Sequence, residues 1–362
     1  MPKKTNSLYI HVPFCAHICE YCDFTKLFYN KKFSEPYLKA LFYEIDSFNI
    51  DHVKTIYIGG GTPTALSLDE FESLLKKVSP LLEQGGEFTV EANIENLSGE
   101  KIILMKKYGV TRVSVGVEST NDALLRAIGR HHTYQDAINA VIELQKYFEV
   151  NVDLIYGFPH QSLDDLKNDL NNIINLNTNH VSIYSLIVSK NTAFYNKGIK
   201  EQNEDDSRLY YDYIVNTLRK HGFKRYEVSN FAKNGKFSQH NLTYWKDEEY
   251  YGAGLGASGY VNGVRYTNTK NLTNYLKHDF IGTSEKLSKE EILEDYLLCN
   301  LRLEDGFSRL DFKERFGHDF TEIFSSKITK LINDNLLIIN NDRIMLSDEG
   351  IVTLDRVLLE LL

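Results

Sequence analysis

Cys15-Ala-His-Ile-Cys19-Glu-Tyr-Cys22 begins two residues after the run Ser-Leu-Tyr-Ile-His-Val at positions 7–12. Three of the chain's four cysteines fall within eight residues, at spacings of four and three. A disulfide framework needs an even, dispersed set in an oxidising compartment, so this loop reads as a metal site. Three thiolates at these spacings can each hold one iron of a cubane [4Fe–4S] cluster, leaving the fourth iron open to a small molecule. The alternative is a zinc ion with His17, His11 or Cys299 as fourth ligand. Zinc motifs, however, usually pair two short knuckles across a longer span.

Outward from that loop, the first 230 residues alternate strand and helix. Strands are expected at 7–12, 53–58, 87–91, 112–117, 151–157 and 180–188, and amphipathic helices at 33–48, 69–79, 99–108, 134–147 and 163–176. Six strands separated by helices imply a parallel sheet with crossover connections, an α/β fold. Small residues in Val113-Ser-Val-Gly-Val117 suit a curved, barrel-like sheet, although an open doubly wound sheet gives the same string. A helix at 205–221 closes this first domain, 1–230, and a Tyr-, Gly- and Asn-rich extension follows at 231–286. From 287 to 362 the order is helices at 289–302, 309–316 and 320–333, strands at 336–339 and 344–346, and a last helix. That is the order of a small winged-helix-like domain. The formal net charge of −9 argues against nucleic acid as a partner, whose binders carry a basic footprint. No apolar stretch approaches the ~20 residues of a transmembrane segment, and no secretory leader is legible. The chain is expected to be cytoplasmic.

Further residues carry chemistry. Gly59-Gly60-Gly61-Thr62-Pro63-Thr64 ends the second strand and reads as a turn or anion cradle, without the Lys of a P-loop. Glu91, Glu118 and Asp153 sit at or near the C-terminal ends of strands three, four and five, where parallel sheets bind ligands. Gly252-Ala-Gly254-Leu-Gly256-Ala-Ser-Gly259 mimics a dinucleotide fingerprint without a strand–helix unit around it, and reads as close backbone packing. His240-Asn-Leu-Thr-Tyr-Trp245 contains the only Trp. In a helical turn His240 and Tyr244 share a face; an axial His with aromatic neighbours suits haem. Lys224, Arg225, Lys233 and Lys236 lie near it in sequence, where they can meet propionates.

Taken together, Tyr9-Ile-His-Val-Pro-Phe-Cys15 and the C-x3-C-x2-C spacing resemble the radical S-adenosylmethionine (SAM) enzymes of the oxygen-independent coproporphyrinogen III oxidase branch. The resemblance implies a radical SAM partial (β/α)6 barrel with a small C-terminal winged-helix-like domain. It implies a [4Fe–4S] cluster on Cys15, Cys19 and Cys22, and SAM at the open iron. The SAM contacts it implies are Tyr9 and Tyr21 beside the cluster loop and Gly60, Gly61 and Thr62 along the methionyl group. Glu91 would face the ammonium, Asp153 and Glu118 the ribose, and Arg130 the carboxylate or ribose. Glu118 departs from the family, where Gln is usual; a carboxylate accepts a hydrogen bond but cannot donate one.

Two further departures separate the chain from the oxidases. They continue the motif to C-x3-C-x2-C-x-C, whereas position 24 here is Phe24, and they carry a longer arm than the 14 residues that precede Cys15. His-Asn-x-x-Tyr-Trp is similar to the haem motif of HemW-type haem chaperones, close relatives of the oxidase. This resemblance implies haem b held by His240, Asn241, Tyr244 and Trp245, with His240 on the iron and no catalytic residue. The implied partners are haem and acceptor haemoproteins, membrane-bound respiratory proteins among them, reached from the cytoplasm or the membrane periphery. The competing implication is the oxidase itself, which decarboxylates propionates through a substrate radical.

Overall fold

The computed structural model describes residues 5–362. Its main sheet contains β1 (Ser7–Val12), β2 (Val53–Gly60), β3 (Leu82–Asn93), β4 (Arg112–Glu118), β5 (Glu149–Tyr156), β6 (His180–Ser185), β7 (Lys224–Arg225), β8 (Asn230–Ala232) and β9 (Tyr251–Ala253). The strand order is β9-β1-β2-β3-β4-β5-β6-β8-β7. Strands β1 to β6 run parallel in sequence order, the topology of a partial barrel. β9 adds to β1 in parallel, and β8 and β7 add antiparallel at the other edge.

Period-two alternation explains the layers. On β4, Val113, Val115 and Val117 are fully buried against the helices, while Arg112, Ser114, Gly116 and Glu118 face the concave interior. The pattern recurs on β5, where Val152 and Leu154 point out and Asn151, Asp153 and Ile155 point in. The apolar face thus packs on the helices and the inner face stays mostly polar, which marks a ligand chamber rather than a filled core. The crossover helices begin where the sequence supplies caps: Ser67 with Glu70, Thr133 with Asp136, and Ser162 with Asp165 form reciprocal capping boxes.

The 231–286 extension shares the barrel's core through Phe231, Ala253, Leu255 and Tyr275, and the boundary expected at 230/231 falls inside β8. The glycine-rich stretch overlaps the end of β9, a parallel strand, but no helix follows it. A Cβ on Gly252 would lie 1.8 Å from the Ser258 carbonyl oxygen, which fits the packing role expected there. The C-terminal residues build a separate core around Phe307, Phe312, Phe320, Ile344 and Val357. The helix expected at 320–333 is broken at Phe324 into Phe320–Ile323 and Ser325–Asn333. Among the described residues, no helix is long and apolar enough to cross a membrane.

Candidate functional site

The concave face encloses a cavity of about 490 Å3. Its mouth is the cysteine loop, and Cys15, Cys19 and Cys22 all line it. Thr62 Oγ1 lies 3.7 Å from Cys15 Sγ and receives Asn93 Nδ2 at 3.0 Å, so a neighbouring strand end orients it. Burial pushes the Cys15 thiol up to about 11, and burial also raises Cys19 and Cys22. Such thiols ionise when a cationic centre takes them as ligands. Among the described residues no three His, Cys, Asp or Glu side chains close around a single metal ion. A cubane takes one thiolate per iron, so a loop that spreads its thiols around a cavity mouth suits it. For the zinc alternative, both ring nitrogens of His11 are already engaged, by Tyr9 Oη and the Thr25 carbonyl. His17 packs on His131, and the charged groups around Cys299 are Asp247, Asp295, Arg302 and Arg265.

Below the loop, Tyr21, Gly60, Gly61, Thr62, Glu91, Glu118, Arg130 and Asp153 line the same cavity. Gly60 has φ +111° and a Cβ there would strike the His11 ring, while a Cβ on Gly59 would strike the Glu91 carboxylate. Only glycine lets this turn lie against both. Glu91 accepts from Tyr57 Oη at 2.7 Å and from Gly60 N at 3.0 Å. Asp153 accepts from Ser114 Oγ and Asn151 Nδ2, both at 2.7 Å. Burial, with Glu118 and Glu91 nearby, pushes Asp153 up to about 7. Arg130 bonds Glu118, which holds a left-handed φ of +66°. Arg130 pairs with Glu118 and Arg112 with Glu87, which leaves Glu91 and Asp153 without a cationic partner among the ion pairs of the described residues, and a ligand bearing a sulfonium and an ammonium complements them.

Sequence reading missed much of the inner wall: Tyr57, Thr89, Arg112, Asn151, His180 and Ser182 also line the cavity. The alternation of polar with apolar residues along β3 to β6 was the available signal. Tyr9 does not join this cavity. It lines a second one of about 520 Å3, with His11, Thr25, Tyr244, Tyr250, Gly256, Ala257 and Lys270. Asp23 and Phe24 border both.

The helix Gln239–Trp245 closes the bottom of the chamber. Ser238 caps it by accepting from Asn241 N. Glu87 accepts from His240 N at 3.0 Å, and Arg112, paired with Glu87, donates to the carbonyls of Lys236 and Phe237. The residues expected at haem separate here. Asn241 lines the first cavity and Tyr244 the second, while Trp245 lies against the Arg302 guanidinium at 5.6 Å. His240 is 0% exposed, stacked on Tyr57, with Nδ1 at 2.8 Å from Thr55 Oγ1 and Nε2 at 2.8 Å from Tyr244 Oη. Burial lowers it to about 3, so it is neutral. The open axial histidine expected from the sequence is therefore not what this structure presents. The cations expected near propionates are also committed elsewhere. Arg225, 2% exposed, pairs with Glu304 and Asp348, Lys224 with Asp305, and Lys236 with Glu149, while Lys233 lies over the Phe223 ring.

Comparison with known proteins agrees with this architecture. The family model of the Radical SAM superfamily matches residues 9–173, and that of the HemN C-terminal domain matches 287–353. The solved coproporphyrinogen III oxidase (HemN) of Escherichia coli superposes with a TM-score of 0.87, covering 100% of this chain and 91% of that one at 19% identity, which speaks for the fold. Fold and cysteine loop define the class, a radical SAM protein. "Heme chaperone HemW" of Lactococcus lactis is 41% identical, covering 88% of this chain and 87% of its own length. The Bacillus subtilis protein of that name is 38% identical over 86% and 87%, and the Escherichia coli one 31% identical over 84% and 85%. The chain belongs to the HemW family.

Proposed function

We propose that this protein is a haem chaperone: it binds haem and passes it to acceptor haemoproteins, from a radical SAM core that holds a [4Fe–4S] cluster and SAM. Cys15, Cys19 and Cys22 hold the cluster at the cavity mouth. Gly60, Gly61, Thr62 and Glu91 grip the methionyl end of SAM, Asp153 and Glu118 the ribose, and Arg130 the carboxylate. A reduced cluster of this kind supplies one electron to SAM.

The observation that carries the haem reading is the placement of Gln239–Trp245. One short helix forms the chamber floor with Asn241 and also walls the second cavity with Tyr244. The names of the similar proteins point the same way. Phe24 supports it too, because an exposed apolar ring takes the place of the oxidases' further cysteine at the border of both cavities.

The test is a paired measurement on one anaerobic preparation. Haem titration followed in the Soret region is expected to saturate near about one equivalent, as for a single axial site. Coproporphyrinogen III with SAM and a strong reductant is expected to yield no protoporphyrinogen. Turnover of the porphyrinogen without haem binding overturns the chaperone reading in favour of the oxidase.

A further inference from the structure

Behind Asp153 runs a chain of hydrogen bonds whose proton positions are set from one end. Ser114 Oγ spends its proton on Asp153 Oδ2 at 2.7 Å, so it accepts from Asn151 Nδ2, also at 2.7 Å. The second Nδ2 hydrogen goes to Asp153 Oδ1 at 2.7 Å. Asn151 Oδ1 therefore faces the other way, toward β6, and an amide oxygen only accepts. His180 Nδ1 lies 2.6 Å from it and must carry the hydrogen. Ser182 Oγ, 3.1 Å from the same oxygen, has its shorter contact with Asn230 Oδ1 at 2.7 Å. His180 is buried, and burial, with the Arg112 guanidinium nearby, keeps the imidazole neutral. A neutral ring has one N–H, so Nε2 is bare and accepts from Tyr226 Oη at 2.8 Å. The Tyr226 oxygen in turn takes the Ser238 N–H at 3.4 Å.

This chain settles which way the Asn151 amide points. Turned over about its last torsion, the amide would set Oδ1 against Asp153 and accept a proton from the neutral acid. The His180 N–H opposes that turn, because Nδ2 would then meet another donor at 2.6 Å. The amide is thus held as a donor, and a donor favours the ionised carboxylate. The hold matters because Asp153 stands at about 7, where one hydrogen bond decides its charge. Glu91 from β3, Glu118 from β4, Tyr57 from β2 and Tyr184 from β6 face Asp153, with Arg130 beyond them paired to Glu118. Arg112 from β4 and Tyr226 face His180.

We propose that His180 is a positioning residue for the SAM ribose site: with Tyr226 behind it, it fixes the Asn151 amide as a donor to Asp153 and so keeps that carboxylate ready to accept from a ribose hydroxyl. The proposal rests on the reading of Asp153 as a ribose contact. No proton changes its heavy atom in this role, since His180 stays neutral and acts through two hydrogen bonds. The parallel register supplies the geometry, because His180 lies directly across from Asn151 on the neighbouring strand.

The test follows SAM affinity against pH by equilibrium dialysis on the full-length, cluster-loaded protein. Circular dichroism and iron content verify each variant's fold. His180→Phe removes the N–H, and the midpoint of the affinity profile is expected to rise by about one pH unit, the scale of one hydrogen bond to a charged group. Through the smaller ionised fraction of Asp153, that weakens binding about fivefold at about pH 7 and less than about twofold at about pH 8.5. His180→Asn returns an N–H near the place of Nδ1 and is expected to keep the parent midpoint. Tyr226→Phe releases the other ring tautomer and is expected to raise the midpoint by a smaller amount. A His180→Phe midpoint at the parent value overturns the proposal, as does an equal loss at every pH in both His180 variants, the mark of a structural role alone. Where His180→Phe loses its fold, Tyr226→Phe decides in its place, and an unmoved midpoint there overturns the proposal. Parent SAM affinity across the whole profile in Asp153→Asn overturns the ribose reading itself, and the proposal with it.

Discussion

The Tyr57 hydroxyl donates to Glu91 Oε1 at 2.7 Å, and the ring that carries it stacks on His240 with centroids 5.1 Å apart. One side chain therefore touches both the proposed SAM ammonium site and the helix that carries the haem motif. Its position in the middle of β2 follows from alternation: Ile56 and Ile58 enter the helix-packed core, so Tyr57 must point inward.

Tyr57→Phe keeps the stack and removes the hydroxyl. Glu91 then retains only Gly60 N as a donor. Loss of one hydrogen bond to a charged group costs roughly 1.5–3 kcal/mol, or about ten- to a hundredfold in affinity. SAM binding is expected to weaken within that range while iron content stays at the parent level. Equilibrium dialysis with labelled SAM, beside iron and sulfide analysis, checks it. Parent-level SAM affinity in this variant would remove Glu91 from the ammonium site.

Replacing Cys15, Cys19 or Cys22 singly by Ser is expected to abolish the broad cluster absorbance after anaerobic reconstitution, since each thiol supplies one iron ligand. Cys299→Ser is expected to leave it intact, because that thiol lies within the helix Lys289–Asn300 among Asp247, Asp295 and Arg302. Stoichiometric zinc in place of iron would contradict the assignment.

Arg225 was expected at a propionate because it precedes the haem motif by 15 positions. It instead joins the barrel to the C-terminal domain through Asp348 at 2.7 Å and Glu304 at 3.4 Å. Arg225→Met is expected to lower stability by roughly 2 kcal/mol, the scale of a hydrogen bond to a charged group, with haem affinity unchanged. Calorimetry gives the first quantity and haem titration the second. A selective loss of haem binding would restore the propionate role.

The parts of this molecule legible in its sequence are those set by local pattern. β1 lies where expected because its run is bounded by Asn6 and Pro13, and the crossover helices begin at Ser and Thr caps written into the chain. The inner wall was half legible: Glu91 and Asp153 stood out as acids at strand ends, whereas Thr89, Asn151 and Ser182 are ordinary polar residues until curvature aims them at one space. His240 was not legible as a buried group. Its partners Thr55 and Tyr57 lie about 185 residues away in sequence and meet it only once the helix closes the barrel. The placement of Tyr9 in the second cavity was hidden for a similar reason. Alternation sets its face of β1, but the second cavity on that face exists only because the 256–270 segment folds over it.

The chamber's titration offers a further test. Asp153 stands at about 7 because burial, Glu118 and Glu91 all disfavour its charge. An unfolded Asp ionises near 4, so between about 4 and 7 the folded chain keeps a proton that the unfolded chain has released. That contribution to stability is fully present below about 4 and is lost as pH rises through about 7. A ribose hydroxyl donates more strongly to a carboxylate than to a neutral acid, so SAM affinity is expected to rise over the same interval in which the ligand-free protein loses this stability. Asp153→Asn should flatten both profiles.

Glu118→Gln separates the local field from the fold. Glu118 raises Asp153 and bonds Arg130, a buried guanidinium whose other acid, Glu95, is 3.9 Å away. Replacing it with the neutral amide removes one of the charges that hold Asp153 up. The midpoint of the SAM pH profile is therefore expected to move toward lower pH. The amide oxygen still accepts from Arg130, but the charge-assisted bond becomes a neutral one. Stability is expected to fall by about 1–2 kcal/mol, the difference between those two kinds of hydrogen bond. Gln is also the residue usual in the related oxidases, and its amide can donate where Glu118 cannot. The variant thus gains a possible ribose contact while losing electrostatic support for Arg130. At pH 8, where Asp153 is already ionised, the first effect has little left to add, so SAM affinity there reads the new contact alone. A midpoint that stays at its parent value would show that Glu118 does not govern Asp153, and burial with Glu91 would then account for its shift.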